Sequence, residues 1–254
     1  MNNHVLTDWT VNVMQPIIRV NHLCKYYYYG KHSQQNFVLN NVNLSVKPGE
    51  FLSIVGPSGS GKTTLIKCIA GLLPPSTGTV NISGRDPFKL KPRKLAQFRR
   101  TTVGIIFQQY NLVPYLSPYE NAVLPLRLAH DSIDQHRVTA LMVEMKLNGD
   151  LFGNVTDLSG GEQQKIAIAR TILSKASVIF ADEPTGALDS KSGFVVMQLL
   201  QKLVQQGTTL VMVTHNLELA AQSDRAVILN DGRITHSILK PTLADLLQLE
   251  EETS

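Results

Sequence analysis

Three short runs dominated by apolar residues stand out along the chain: Phe51–Val55, Val178–Ala181 and Thr209–Val213. Each is too short for a helix and lacks polar alternation, the pattern of a strand buried on both faces. Val103–Gln108 reads as a fourth strand, closed by its glutamine. Elsewhere the period changes to that of a helix. Leu65, Ile66, Ile69 and Ala70 share one side of the segment Thr63–Ala70, and Ile166, Ala167, Ala169, Ile172 and Leu173 recur at helical spacing after residue 160. From Gly161 to Thr214 strand and helix patterns alternate, which predicts a parallel sheet. Ile17–Val20 opens an earlier strand, and Asn21 to Lys47 reads as strands and turns. Pro48-Gly49, the segment Leu73–Gly78 and Asp231-Gly232 are turn signals. The stretch from about residue 110 to 160 lacks β patterning and is expected to be a helical insertion. Residues 1–16 read as a polar extension, 17–238 as one domain with subdomains, and 239–254 as a short tail without room for a regulatory domain.

The most specific chemistry follows the first buried run. Residues 56–64 are Gly56, Pro57, Ser58, Gly59, Ser60, Gly61, Lys62, Thr63 and Thr64, a complete G-x-x-x-x-G-K-[ST] phosphate-binding loop. Glycine reaches backbone angles closed to other residues, so successive amide N–H groups can curl around an anion. The helix that follows turns its unsatisfied N–H groups and the positive end of its dipole toward the same point. Lys62 suits the β- and γ-phosphates of a nucleotide, and the Thr63 hydroxyl suits Mg²⁺. Strand, loop, lysine, threonine and helix stand in the order this chemistry requires.

A second motif, Leu158 to Gln164 (Leu-Ser-Gly-Gly-Glu-Gln-Gln), follows about a hundred residues later. With the phosphate loop before it, the chain resembles the ATP-binding cassette (ABC) ATPases along nearly its whole length. The resemblance implies an α/β fold: a P-loop NTPase core with a parallel sheet, an antiparallel β-subdomain and an inserted helical subdomain. It implies ATP as substrate and Mg²⁺ as cofactor. Asp182, closing the second buried run, corresponds to the Mg²⁺-holding acid of Walker B, and Glu183 to the general base that polarises the attacking water. The segment Pro184–Asp189 resembles the D-loop, with Asp189 as its acid. His215, after the third run, takes the place of the switch histidine at the γ-phosphate. Gln108 matches the Q-loop glutamine, near Mg²⁺ and the water. Tyr27, in the run Lys25–Tyr29, matches the aromatic on which adenine stacks, with Tyr26 as the alternative. In the family Ser159, Gly160, Gly161 and Glu162 of the signature face the γ-phosphate held by a second copy, so that ATP joins two chains. Two departures are visible: Lys165 replaces a more usual arginine, and Asn154–Asp157 lacks a common proline. Neither touches the catalytic set.

Composition narrows the setting. The chain has 254 residues, 43% hydrophobic, enough for one core with subdomains. The formal charge is +4, with the cations dispersed. The basic segment Lys89–Arg100 reads as the solvated face of a helix, and the chain shows no aromatic-interleaved basic stripe, so nucleic acid is not an expected partner. Two distant cysteines, Cys24 and Cys68, show no metal spacing and suit a reducing compartment. No leader pattern is visible, and no apolar run approaches the ~20 residues that span a bilayer.

Three segments sharpen the resemblance: Phe107–Pro114 with Glu120-Asn121, Ala181–Ser190 with Gly186, and Arg99–Gly104. They resemble the MacB/LolD group, which includes bacitracin-type peptide-resistance ATPases and FtsE. The resemblance implies a homodimer on the cytoplasmic face of a bacterial cell membrane. Its partner would be a separate transmembrane permease that transmits motion to an extracytoplasmic domain, with an accessory extracytoplasmic protein as a further member. An importer ATPase and a soluble mechanical ATPase of DNA repair or translation are the alternatives. Against these stand Gly186, the single cassette, and the absence of a long coiled-coil insertion.

Overall fold

The chain's strands form two sheets, and the polarity pattern decides which strand joins which. The computed structural model describes residues 15–29, 34–147 and 149–253. Most of the expected N-terminal extension, residues 1–14, lies outside them. In the first sheet β1 (Ile18–Tyr29) runs antiparallel to both β2 (Gln34–Val46) and β4 (Thr77–Ile82), in the order β2-β1-β4. Ile18 and Val20 are buried while Arg19 between them is exposed, as a sheet with one wet face requires. Past Cys24, β1 pairs with β2 alone, so the tyrosines lie on a two-stranded ribbon.

The second sheet has six strands in the order β5-β6-β7-β3-β8-β9. These are β3 (Phe51–Val55), β5 (Val103–Ile106), β6 (Val178–Asp182), β7 (Thr209–Val213), β8 (Arg225–Asn230) and β9 (Arg233–Leu239). Five are parallel; β9 returns antiparallel to β8 through the Asp231-Gly232 turn. Every residue of β3, β6 and β7 is buried, which is why these runs carry no alternation. Because β3, β6 and β7 are neighbours and parallel, the loops leaving their carboxyl ends open at one edge of the sheet, where α/β proteins place their ligands.

Helices cover both faces. They are α1 (Lys62–Ile69), α2 (Pro92–Thr101), α5 (Gly160–Leu173), α6 (Ser190–Gln205), α7 (Leu217–Ala220) and α8 (Leu243–Thr253). The inserted region adds α3 (Pro118–Ala129) and α4 (Gln135–Glu144). Helix α5 is buried nearly all round: Ile166, Ile168, Ala169 and Ile172 join a cluster that holds α3 residues on one side and sheet residues such as Ile179 on the other. Its buried polar side chains bond locally in part: Thr171 donates to the Ile105 and Ala167 carbonyls at 3.1 Å and Gln164 Nε2 donates to the Pro184 carbonyl at 3.0 Å, while Gln164 Oε1 has no partner among the described residues. In α2, Phe98 is buried while Arg93, Lys94 and Arg100 face solvent, the arrangement expected of that basic segment. Burial pushes the Cys68 thiol up to about 11, so it packs as an apolar group.

Two expectations differ from the structure. Gln108 does not close a strand: β5 ends at Ile106, opposite Ala181, and the chain has left the sheet by Phe107. Beyond that register β6 pairs only with β7, so β5 has no partner to extend along. The segment after residue 238 also differs from a tail. β9 runs to Leu239, and α8 buries Leu246 beside Ala220, Ala226 and Ile228, with Leu249 packed against the same cluster. The i, i+3 spacing of Leu246 and Leu249 was the available signal.

The inserted region depends on one buried amide. Asn121, fully buried in α3, accepts from the Val113 N–H at 2.8 Å and donates to the Val113 and Leu116 carbonyls at 3.0 Å. These bonds hold the 113–117 loop, which displays Tyr115 at 96% exposure. Asn121→Ala leaves those backbone groups without their buried partner and is expected to cost about 2 kcal/mol. In a domain of this size that is a fall in Tm of roughly 4–8 °C, read by thermal denaturation. The 113–117 amides should lose hydrogen-exchange protection more than those of β3.

Candidate nucleotide site

The phosphate loop leaves β3 at Gly56 and enters α1 at Lys62. Gly56 takes φ 152°, and a Cβ there would lie 2.0 Å from the Leu229 carbonyl oxygen, so the loop passes directly over β8. Gly61, at φ 100°, caps α1 without any side-chain bond. The first-turn amides of α1 therefore have no competing side-chain acceptor from the cap and remain free for an anion. A cavity of about 430 Å³ opens above this turn. Gly56, Ser58, Gly59, Gly61, Thr63 and Thr64 form its floor. Lys62, Gln108, Asp182, Glu183 and His215 reach it from four different segments, and Val38 of β2 closes one side. Pro57 and Ser60 shape the loop from within: the Ser60 N–H donates to the Pro57 carbonyl at 3.3 Å, and Ser60 is buried.

The charged groups are arranged around the cavity. Lys62 Nζ donates to the Gly56 and Pro57 carbonyls at 2.8 and 2.7 Å, folding back over its own loop. Burial lowers its pKa, while the nearby Glu183 and Asp182 carboxylates act to raise it. Asp182 is buried, and its Oδ1 lies 3.5 Å from the Thr63 hydroxyl, at the outer limit of a hydrogen bond. Burial raises the Asp182 pKa; the Thr63 hydroxyl acts in the opposite direction. Glu183 is held at φ 50°, in the left-handed region where a non-glycine residue carries strain of about 1–3 kcal/mol. Its backbone N–H donates to the Val213 carbonyl of β7 at 2.9 Å. Both carboxylate oxygens are engaged: Oε1 accepts from the His215 N–H at 2.9 Å and lies 2.8 Å from His215 Nδ1, while Oε2 accepts from the Thr214 hydroxyl at 3.2 Å. The arrangement joins an anion cradle, a cation, a buried acid beside a hydroxyl, and a second carboxylate within the same opening.

Other expected residues lie elsewhere. Ser159, Gly160, Gly161 and Glu162 are absent from the walls of this cavity. Ser159 caps α5: its amide and hydroxyl both donate to Glu162 Oε2, at 3.0 and 2.7 Å, and its oxygen accepts from the Glu162 N–H at 3.4 Å. Those bonds hold the Glu162 carboxyl below its usual range. Asp189 caps α6 by accepting from the Lys191 and Ser192 N–H groups at 3.0 Å, which lowers its pKa. Tyr27 is half exposed, with Lys25 Nζ 5.2 Å from its ring centre, whereas Tyr26 packs against Phe37 and edge-on to Tyr28. Neither tyrosine is part of the cavity wall. Sequence reasoning passed over Val38 and Thr214. Val38 has no sequence signal, and Thr214 had only a hydroxyl beside His215.

The ABC transporter family model matches residues 39–186. The macrolide export ATP-binding/permease protein MacB of Campylobacter jejuni is 42% identical over 222 residues, which is 87% of this chain and 35% of that protein. The chain thus spans about a third of the length of such MacB relatives. An uncharacterized ABC transporter ATP-binding protein of Methanocaldococcus jannaschii, MJ1508, is 42% identical over 214 residues, 84% of this chain and 96% of that one. Among solved structures, the dimeric post-hydrolysis state of the ATP-binding cassette MJ0796, bound to ADP and Pi, superposes with a TM-score of 0.82. It is 37% identical and covers 88% of this chain and 99% of that one.

The raised pKa of Asp182 gives a stability prediction with a definite sign. An acid whose folded pKa lies above its unfolded value destabilises the fold once it ionises, so its cost grows as pH rises from the unfolded value of 3.8 through the folded one. Asp182→Asn removes that charge at nearly constant shape. Without nucleotide the variant should melt above the wild type at neutral pH, and the gain should vanish below pH 3.8. A variant that melts lower across the whole range would show that the carboxylate stabilises this site.

Proposed function

The chain belongs to the ABC transporter family, and we propose that it is the ATP-hydrolysing subunit of a membrane complex of the MacB type. In this reading ATP lies along the phosphate loop, with its phosphates on the α1 amides. Lys62 turns from the Gly56 and Pro57 carbonyls to the β- and γ-phosphate oxygens. Thr63 and Asp182 would hold Mg²⁺, with Gln108 beside them; the Thr63 hydroxyl and the buried Asp182 carboxylate form an all-oxygen set suited to that ion. When bound, Mg²⁺ would neutralise part of the phosphate charge. Glu183 accepts the proton of the attacking water, the water oxygen bonds to the γ-phosphorus, and ADP and phosphate leave. His215 contacts the γ-phosphate, Asp189 orders the segment after Glu183, and Tyr27 stacks on adenine, with Tyr26 as the alternative. The observation that carries the reading is the single cavity holding Lys62, Thr63, Asp182 and Glu183 above a free helix N-terminus.

The same proposal assigns Ser159, Gly160, Gly161 and Glu162 to the site of a second copy. Two things support this: their own cavity lacks them, and the cassette MJ0796 has been solved as a dimer. The permease is proposed as a separate chain. Among the described residues no helix is long and apolar enough to cross a membrane, and the MacB relatives unite ATP-binding and permease parts in chains about two and a half times as long. That partner would place this chain at the cytoplasmic face of a membrane. An accessory extracytoplasmic protein completes the proposed complex.

Glu183→Gln tests the hydrolytic reading. Turnover should fall roughly 10³-fold, equivalent to about 4 kcal/mol of lost transition-state stabilisation, while ATP affinity is retained. On size-exclusion chromatography with ATP and Mg²⁺ the variant should elute as a dimer. A monomer that hydrolyses ATP at the wild-type rate would refute the assignment.

A further inference from the structure

We infer that Thr214 is a positioning residue for the hydrolytic carboxylate: its hydroxyl is locked as a one-way donor that aims Glu183 at the attacking water. The inference rests on the reading of Glu183 as the base, and adds a residue to which no role has been given.

The argument is one of hydrogen-bond direction. Thr214 is 1% exposed, so water does not compete for its hydroxyl. Its Oγ1 accepts from the Asn216 N–H at 3.0 Å. With that lone pair engaged, the hydroxyl proton is turned toward its other neighbour, Glu183 Oε2, at 3.2 Å. The Asn216 N–H is itself fixed, because Asn216 caps α7 by accepting from the Leu219 N–H at 3.1 Å. A relay therefore runs from the start of α7 through Thr214 to the carboxylate. It is anchored on the sheet as well: the Thr214 N–H donates to the Ile54 carbonyl of β3 at 3.3 Å. The hydroxyl is thus tied to the strand that carries the phosphate loop.

The carboxylate needs such a guide. Glu183 leaves β6 with a left-handed backbone, so the strand's own geometry does not set its side chain. Its Oε1 is shared by two His215 groups, and the His215 side chain is largely exposed at 77%. In the proposed mechanism that ring also turns to the γ-phosphate. When it does, the ring no longer holds Oε1, and the donors left on the carboxylate are the His215 N–H and the Thr214 hydroxyl. Among the described residues a buried donor of fixed direction supplies the hydrogen bond on Oε2, and it keeps the other oxygen turned to the cavity. A hydrogen bond to a charged group, made in the low dielectric of a buried site, is strong enough to set such an orientation.

The test uses the full-length chain with ATP and Mg²⁺, comparing Thr214→Val, Thr214→Ser and Glu183→Gln with wild type. Valine keeps the shape and removes the hydroxyl; serine keeps the hydroxyl and removes a methyl. Steady-state kcat and KM, affinity for a fluorescent ATP analogue and Tm are measured for each. We expect Thr214→Val to lower kcat about tenfold with nucleotide affinity unchanged, and Thr214→Ser to recover most of it. If Thr214→Val does not fold, Thr214→Ala is read by the same criteria. A hydroxyl-free variant with kcat within about twofold of wild type, while Glu183→Gln is inactive, overturns the positioning role and leaves the base assignment standing. A serine variant as slow as the hydroxyl-free one also overturns it, since packing would then be the cause. If Glu183→Gln itself turns over normally, the base assignment falls and the inference with it.

Discussion

A lysine ammonium and two carboxylates share one small opening at the edge of a sheet, and the fold is arranged to keep all three there. Burial works against each buried charge: it lowers the Lys62 pKa and raises that of Asp182. Lys62 and the carboxylates offset part of this cost for each other, while Glu183 adds to it at Asp182; backbone carbonyls meet the Lys62 bonds and the Thr63 hydroxyl lies beside Asp182. Holding such a cluster requires elements that do not yield. The three strands that deliver it, β3, β6 and β7, are buried along their entire length and adjacent in the sheet. The rest of the core, with α1 and α5 against opposite clusters, fixes those strands in place. A site on central strands also accounts for the tolerated strain at Glu183, since the surrounding ladder over-determines its backbone.

Much of this was legible in the sequence for a physical reason. A strand buried on both faces writes an unbroken apolar run, and a phosphate loop writes glycines where a Cβ would collide, as at Gly56 with the Leu229 carbonyl. Those are local constraints, so they leave local marks. What the sequence did not reveal depends on contacts between distant segments. Val38 comes to the cavity because β2 packs beside the phosphate loop. Thr214 comes into view because its hydroxyl lies 3.2 Å from Glu183, though the two residues are 31 positions apart. The strand expected to run to Gln108 stops at Ile106, opposite Ala181, since its partner strand itself ends one residue later at Asp182. The final helix was hidden by an acidic surface, although Leu246 is almost fully buried. Tyr27 remains a proposal: its ring is held beside Lys25, outside the cavity wall.

The division of labour between sheet and insertion follows from the same constraint. The α5 helix starts with two glycines capped by Ser159 and Glu162, and its N-terminus lies away from the cavity of its own chain. Arg170 farther along α5 donates to the Tyr110 and Asn111 carbonyls at 3.1 and 2.8 Å, just after Gln108. The helix that begins at Ser159 and Gly160 is thereby tied to the segment that carries Gln108. In the proposed dimer, a displacement of the inserted region would move the signature at one site and Gln108 at the other together.

The central claim, that each complete site is built by two copies, has a direct test in mixed chains. Lys62→Ala removes the phosphate cation, and Ser159→Arg places a bulky cation where the signature should meet the γ-phosphate. Each variant alone should be inactive. In a mixed dimer one composite site carries both lesions and the other carries neither, so ATP hydrolysis should return on mixing. If each chain completes its own site, both sites in the mixture stay broken, and ATPase activity that remains at background would contradict the account.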